Sequence, residues 1–582
     1  MKKKSFLLIL IPALVIIGAY VFMRYSLNAV IGHDEEKITA QIKQTDSPAT
    51  KQTVSLDLRP LFIERLQQLV KKTSNNVYDL SVGNMKIDIL ASTASFQNVV
   101  LKPDKKRADS LNRLGMAPAE IVAFSFENLQ VEGINFDDAI TAKTMDYKLV
   151  KLTNPVFEIY RNTNEPKEIK EDFTQRFLKE IKKLSVQNLV VEGGKIIIHN
   201  KGKSSVLKDV SIFMKDILID SVTRNDPARF LFAKKASLGF KNYKTVMSNG
   251  QYNLSIAKVN VEVPEQKLTL ANISFISPLN KNEFSRRQKF RKEYYQVSFP
   301  SITLSGVDWW SLVNEEELVA KEIKIPGGKL FIYFDRSLPP ASKMGNFPAQ
   351  LLMKLPVKIN IERLNANDLD VAYEEYNPLS QQSGTIHVKN ISMNIANVSN
   401  INGKEWRPVT VIGKGLLMGK IPLKADFVFS RADYKSGKFT GHISSDKDFN
   451  GNMINPFAMP VGMIKIEKGQ LQKLDAHLHG DQLQAYGDIS ILYKDLKLSL
   501  LEKDKGATVL DKKDVTSFLA NAFVLKKDNP KEGESLRNVQ AEFKRNPDGG
   551  FFMLVWKTIM TGALKTIGAP ARMASKTVRT TK

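Results

Sequence analysis

Residues 184–191 read Leu184-Ser185-Val186-Gln187-Asn188-Leu189-Val190-Val191. Apolar side chains alternate up to Val186, an Asn follows two positions on, and the alternation resumes at Leu189 shifted by one. Period-two alternation is the mark of a strand with one apolar face, and Asn tolerates the left-handed backbone that a bulge or tight turn needs. The same unit recurs as Ala94-Phe96-Asn98-Val99-Leu101, Phe124-Phe126-Asn128-Leu129-Val131, Leu268-Leu270-Asn272-Ile273-Phe275 and Ile386-Val388-Asn390-Ile391-Met393. Each copy is a bent strand or a strand pair. Spread over some three hundred residues, the copies predict a long, repetitive β structure.

Outward from these units, the chain has 582 residues, beyond the size at which one core keeps growing, so several domains or an elongated array is expected. Hydrophobic residues make up 43% and charged residues 25%, the values of a folded chain. The 85 Lys+Arg against 61 Asp+Glu give +24, a balance that suits anionic lipid headgroups or solubility. Nucleic acid is not an expected partner, because the basic residues are scattered and no zinc-finger spacing, aromatic RNA-binding motif or helix-turn-helix is present. The absence of cysteine removes disulfides, thiolate nucleophiles and Cys-ligated metals together. A bacterial envelope protein fits that composition more easily than a large secreted animal protein.

Lys2, Lys3 and Lys4 precede an uncharged apolar run from Phe6 to Met23 that ends at Arg24. The run is about long enough to cross a ~30 Å hydrocarbon layer, longer than a signal-peptide core, and lacks a clean Ala-x-Ala exit. It reads as an uncleaved anchor with its N-terminus in the cytoplasm. The expected organisation is 1–24 cytoplasmic lysines and transmembrane anchor, 25–53 polar linker, 54–320 and 321–501 two parts of a β structure, and 502–582 a helical C-terminal segment. Helical spacing is expected from Leu58 to Val70, Lys167 to Lys183 and Asp514 to Leu525. In the run Lys329 to Asp335 both faces are apolar, as in a strand covered on each side.

Near the C-terminus Phe552, Val555, Trp556, Ile559, Met560, Ala563, Leu564 and Ile567 fall at i, i+3, i+4, i+7 spacing, with Lys557, Thr558, Thr561, Lys565 and Thr566 on the other face. Such a helix fits a bilayer interface, with Phe552, Trp556, Ile559 and Met560 as membrane contacts, or docking on the end of the sheet; periodicity is the same for both.

No enzyme signature is present: no Gly-x-Ser-x-Gly elbow, no phosphate-binding loop, no dinucleotide fingerprint, no His-Glu-x-x-His. His477 and His479 point to one face of a strand, as two metal ligands or a hydrolase site would, but neither Asp475, Asp481 nor Asp488 is placed as a third ligand by more than proximity. Solvated strand residues are the simpler reading, so no catalytic residue, metal or cofactor is expected. At one strand per roughly 8–12 residues the β region holds on the order of thirty-five strands, a sheet on the order of 150 Å if they stack in sequence. Its apolar face must be hidden although few helices are available. Either the sheet curls into a trough whose inside holds an apolar ligand such as acyl chains, or it splits into closed sandwiches.

The anchor, the strand units, the segment INIERLNANDLDVAYEEYN (359–377) and the ending FFMLVWKTIMTGALKTIG (551–568) together resemble the AsmA-like family of bacterial envelope proteins, in a form similar to those of Bacteroidetes. The resemblance implies a mainly β fold, a long curled antiparallel sheet forming a groove behind one N-terminal transmembrane helix, with the bulk of the chain in the periplasm. It implies no enzyme and no cofactor; the partners would be phospholipids, the inner membrane and other envelope proteins. The expected groove wall comprises Phe96, Phe124, Phe126, Leu184, Val186, Ile196, Ile198, Leu268, Leu270, Phe299, Leu304, Ile359, Ile361, Phe427 and Phe429. Its function would be phospholipid movement between inner and outer membrane. The alternative is a non-enzymatic scaffold for outer-membrane protein assembly, whose open sheet edges accept a partner's strand.

Overall fold

The computed structural model describes most residues from 77 to 568, with gaps at 111–119, 136–143, 162–182, 402–406, 503–510 and 513–525 and a few shorter ones, and scattered positions from 60 to 76. The expected anchor, the linker, the basic tail and the helices expected at 167–183 and 514–525 lie outside the described residues, save Lys183, which opens a strand. The described positions between 60 and 71 are helical, as the spacing there requires. Among the described residues, no helix is long and apolar enough to cross a membrane.

The chain divides into two compact units, one of residues 1–245, 256–269 and 309–316, the other of 246–255, 270–308 and 317–582. In chain order the first strands are β1 (Tyr78–Asp88), β2 (Thr93–Pro103), β3 (Glu120–Glu132), β4 (Thr144–Thr153), β5 (Val156–Arg161), β6 (Lys183–Asn200), β7 (Lys203–Ile219), β8 (Lys235–Met247), β9 (Tyr252–Glu262) and β10 (Lys267–Ile276). Helix α1 (Lys281–Arg286) and strands β11 (Tyr294–Ser305), β12 (Glu317–Ile325) and β13 (Gly328–Asp335) follow. After α2 (Pro348–Met353) come β14 (Lys358–Asn377), β15 (Gln382–Ser399), β16 (Val409–Leu417), β17 (Ile421–Phe429), β18 (Phe439–Ser445) and the short β19 (Phe449–Asn450). Last come α3 (Asn455–Gly462), β20 (Ile464–Gly480), β21 (Gln484–Glu502), the short β22 (Asp511–Lys512), β23 (Asn538–Lys544) and α4 (Phe551–Thr566).

The fold is mainly β, in one large mixed sheet. Two expectations need correction. The sheet is not purely antiparallel: β6 runs parallel to β4 and β5, and β14 runs parallel to β12 and β13. Alternation carries no direction, and the stretches between Arg161 and Lys183 and between Asp335 and Lys358 are long enough for the crossovers that parallel pairing needs. Among the described residues the strands are also fewer and longer than expected. β6, β14, β15 and β21 run 18 to 20 residues because a bulge bends each one without ending it.

The Asn-centred units show how. Asn98, Asn272 and Asn390 have φ of 53°, 49° and 52°. At Asn98 the left-handed residue and position 127 opposite it both leave the ladder without a change of register, Gln97 facing Asn128 and Val99 facing Phe126, and Phe96 and Val99 are buried together despite their odd spacing. At Asn390 the register shifts by one, as in a bulge. Asn128 and Asn188 keep ordinary backbone. The left-handed role is shared instead by Asp209, Asp216, Asn242, Asp368, Asn397 and Asp495.

Both units contain the same strand plan. In the first, β4 and β5 are two halves of one line broken at Pro155: β4 pairs with the end of β3 and β5 with its start, while β6 runs parallel to both. In the second, β12 and β13 are broken at Pro326 and stand in the same relation to β11 and β14. A strand flanked on both sides cannot lose a ladder N–H to proline, so the line breaks there. In the first unit β6 answers with Gly193 at φ 66°, where a Cβ would lie 2.0 Å from the Asn154 Oδ1. In the second, Asp368 supplies the left-handed residue of β14.

Candidate functional site

The two units differ in how they treat the apolar face. In the first, Phe96, Val131, Leu184, Val186, Leu189, Val191 and Ile217 form a closed core, with Leu184 and Leu189 at 0% exposure. In the second, Val388, Ile391, Met393 and Ile395 of β15, Val411 and Leu417 of β16, and Leu423 and Ala425 of β17 are all only half-buried. The bulge at Asn390 keeps Val388 and Ile391 on one face, and register places Val411 between Ile395 and Phe427. Gly413 and Gly415 put no side chain there. The opposite face is polar: Asn394 donates to Asn365 at 2.5 Å, and Asn365 to Glu322 at 2.7 Å. Lys414, Lys424 and Asp426 stand on it with Ile412.

Both ends of this apolar stretch are covered. At one end Phe551 of α4 meets Phe347, Phe427, Phe429 and Phe439 with ring centroids 5.0 to 5.5 Å apart. At the other, α3 packs on the β14–β15 hairpin, where Asn377 and Ser380 both donate to the Pro460 carbonyl, at 3.0 and 2.7 Å. Trp556 of α4 meets Phe457 of α3 edge-on at 6.1 Å. Ile559, Met560 and Ala563 of α4 and Ile395, Val411, Leu423 and Ala425 of the strands are partly buried against the same core cluster.

Helix α4 therefore docks on the sheet, one of the two placements its periodicity allowed, but the face it buries is partly the polar one. Lys557, Thr558, Thr561 and Thr566 are buried, whereas Phe552 is 76% exposed and Trp556, Ile559 and Met560 are half-exposed. Thr558, Thr561 and Thr566 donate to the carbonyls of Leu554, Lys557 and Gly562 at 2.8 to 2.9 Å, so their hydroxyls need no outside partner. The small residues then let the helix approach the strands closely.

A buried ionic set holds the start of α4. Arg336 and Glu375 pair at 3.0 Å, the Tyr373 hydroxyl donates to Glu375 at 2.7 Å, and Lys343 pairs with Glu293. Arg291 reaches Asp548 at 2.9 Å, and Arg545 donates to the carbonyls of Lys343, Gln482 and Gly549. Burial drives the Tyr373 hydroxyl well above its ordinary range, with the Glu375 charge adding to it. Burial, with the nearby Arg336 charge, pushes Lys557 down to about 8 against the opposing pull of Glu375.

Among the expected wall residues, Phe96, Phe126, Leu184, Val186 and Ile196 sit in the closed core of the first unit, with Phe124 and Ile198 packed beside it. Phe427 and Phe429 belong to the aromatic end of the half-open stretch. Leu304 and Ile361 are buried elsewhere in the second unit; Leu268, Leu270, Phe299 and Ile359 are half-buried. Met393, Ile395, Val411 and Leu423 were not among them, although Ile391 and Met393 close a recognised unit; the paired glycines of β16 were the available signal. His479 stacks on Tyr486 at 5.4 Å, while His477 pairs across strands with His442. In the expected covered run, Tyr333 and Phe334 are buried on opposite faces of β13.

No protein-family model matches the chain, and no curated protein matches it.

Proposed function

We propose that the chain is a non-enzymatic lipid-binding protein of a bacterial envelope, held in the inner membrane by its N-terminal apolar segment, with its bulk in the periplasm. Its β structure forms a groove, and the half-buried stretch of the second unit takes phospholipid acyl chains on their way between inner and outer membrane. The single observation that supports this most is a contrast of burial on the same strand plan: β6 buries Leu184, Val186, Leu189 and Val191 of its apolar face, whereas β15, β16 and β17 leave a continuous apolar floor half-covered. A half-covered apolar face of that extent in a folded protein is a candidate binding surface. From Val388 to Ile395 the floor runs roughly 20–25 Å at strand rise, longer than the roughly 15 Å of one bilayer leaflet, so an extended acyl chain fits along it.

The test is a photo-reactive residue at position 393 in the full chain, with a second at 412 on the opposite face. Lipid adducts at 393 and none at 412, with phospholipid recovered from the purified protein by mass spectrometry, support the reading. Folded, lipid-free protein with no lipid adduct at 393 overturns it. Protein adducts without lipid would favour the scaffold instead.

A further inference from the structure

The polar face of β18 and β20 carries a second feature, independent of the lipid reading because it lies across the sheet from the core. His442 and His477 are directly opposed in the antiparallel register, and Asp475 lies two residues before His477 on the same face. Their ligand atoms all fall within 4.8 Å of one another. The Asp475 Oδ1 is 2.7 Å from His442 Nε2 and 3.5 Å from His477 Nε2, and the two imidazoles stack at 4.2 Å with planes 5° apart. The intervening side chains hold the strands still: Ile443, Ala476 and Leu478 point the other way into the buried core.

We propose that His442, Asp475 and His477 bind a first-row divalent transition metal ion of the zinc class. Two imidazole nitrogens and one carboxylate oxygen are a donor set of catalytic and transport zinc sites, and nitrogen donors disfavour magnesium and calcium. With bonds of about 2.0–2.1 Å, ligand atoms around a tetrahedral ion stand about 3.3–3.4 Å apart. His477 and Asp475 already stand so; His442 and Asp475 must open by about 0.6 Å, and the near-parallel rings must turn out of their stack so that both in-plane lone pairs meet at one ion, a rotation about the side-chain torsions that side chains this exposed make without backbone movement. Lys473 lies 3.9 Å from the other Asp475 oxygen, leaving Oδ1 to face the histidines. His477 is 65% exposed, so the fourth position opens to water. A site built on adjacent strands fixes its ligands more tightly than one on loops.

The experiment uses the full chain in detergent, purified on a tag without histidine and stripped with chelator. Equilibrium dialysis against zinc chloride should load about one equivalent, and His442→Ala, His477→Ala and Asp475→Asn should each weaken binding by roughly tenfold or more, while His387→Ala leaves it unchanged. Zinc binding by the triple variant equal to the unaltered chain, or none by the unaltered chain, overturns the proposal. Should the variants fail to fold, X-ray absorption of the zinc-loaded unaltered chain decides: two imidazoles in the first shell support the site, and an all-oxygen shell sinks it.

Discussion

Gly562 of α4 lies so close to Ile489 of β21 that a Cβ at position 562 would stand 2.5 Å from the isoleucine Cγ1. Helix and strand are in contact through a missing side chain, and that is why the Thr-bearing face of α4 is the buried one. Gly562→Ala should therefore destabilise the second unit. Overpacking costs about 1–3 kcal/mol, while the alanine's better helix propensity returns up to about 1 kcal/mol. Gly562→Val should cost more, with no propensity gain. Thermal unfolding should show the order glycine, alanine, valine at about 2–4 °C per kcal/mol; an alanine variant as stable as the unaltered chain would refute the close packing.

Charges placed on the two apolar faces should behave differently. Phe126 is 9% exposed inside the closed core of the first unit, so Phe126→Asp buries an unpaired carboxylate at a cost of several kcal/mol and should yield aggregated or degraded protein. Met393 is half-buried on the open floor, where a carboxylate reaches water. Met393→Asp should accumulate normally, melt cooperatively and lose the phospholipid that mass spectrometry recovers from the unaltered purified chain. Loss of folding in both variants would mean that the floor is an ordinary core.

The strand content and the bent units were legible because alternation and Asn are local signals. Which apolar face closes and which stays open was not. Leu184 and Met393 sit in equivalent sequence patterns, and only the chain folded over each face separates 0% exposure from partial burial. Parallel pairing of β6 and β14 was equally invisible, since direction depends on crossovers with no periodicity of their own. The cluster of His442, Asp475 and His477 needed register between strands about thirty-five residues apart. For α4, the apolar stripe was read correctly but its orientation was not, because threonines that satisfy their own hydroxyls look polar in sequence and pack as small apolar residues.

The bulges give a sharper test of that local reading. Asn390 has φ 52°, and its N–H is bonded to the Asp370 carboxylate at 3.2 Å. Asn390→Gly keeps access to that backbone and should change stability by only a few tenths of a kcal/mol. Asn390→Val forces a β-branched residue into the left-handed region and should cost about 1–3 kcal/mol, or slip the register and turn Ile391 to the polar face. Urea midpoints compare the two directly. Equal midpoints would mean that the bulge is not what keeps Val388 and Ile391 on one face.

Lys557 predicts a pH dependence of unusual sign. Burial holds its folded-state pKa at about 8, below the 10.5 of an unburied lysine. Between those values the unfolded chain binds more protons than the folded one, so stability rises with pH. The penalty is fully present below about pH 8 and is relieved as pH climbs toward 10.5, by on the order of 2–3 kcal/mol. The tyrosines with raised values, Tyr373 and Tyr333 among them, work in the opposite direction only above about pH 10, where the unfolded hydroxyl ionises first. The window from pH 8 to 10 therefore isolates the lysine. Lys557→Met should be more stable than the unaltered chain at pH 7 and should lack the rise, because Arg336 keeps Glu375 paired without it. Chemical unfolding at pH 7, 8, 9 and 10 measures both slopes. A flat profile in the unaltered chain, or the same slope in the methionine variant, would place the charge of Lys557 in water and undo the buried docking of α4.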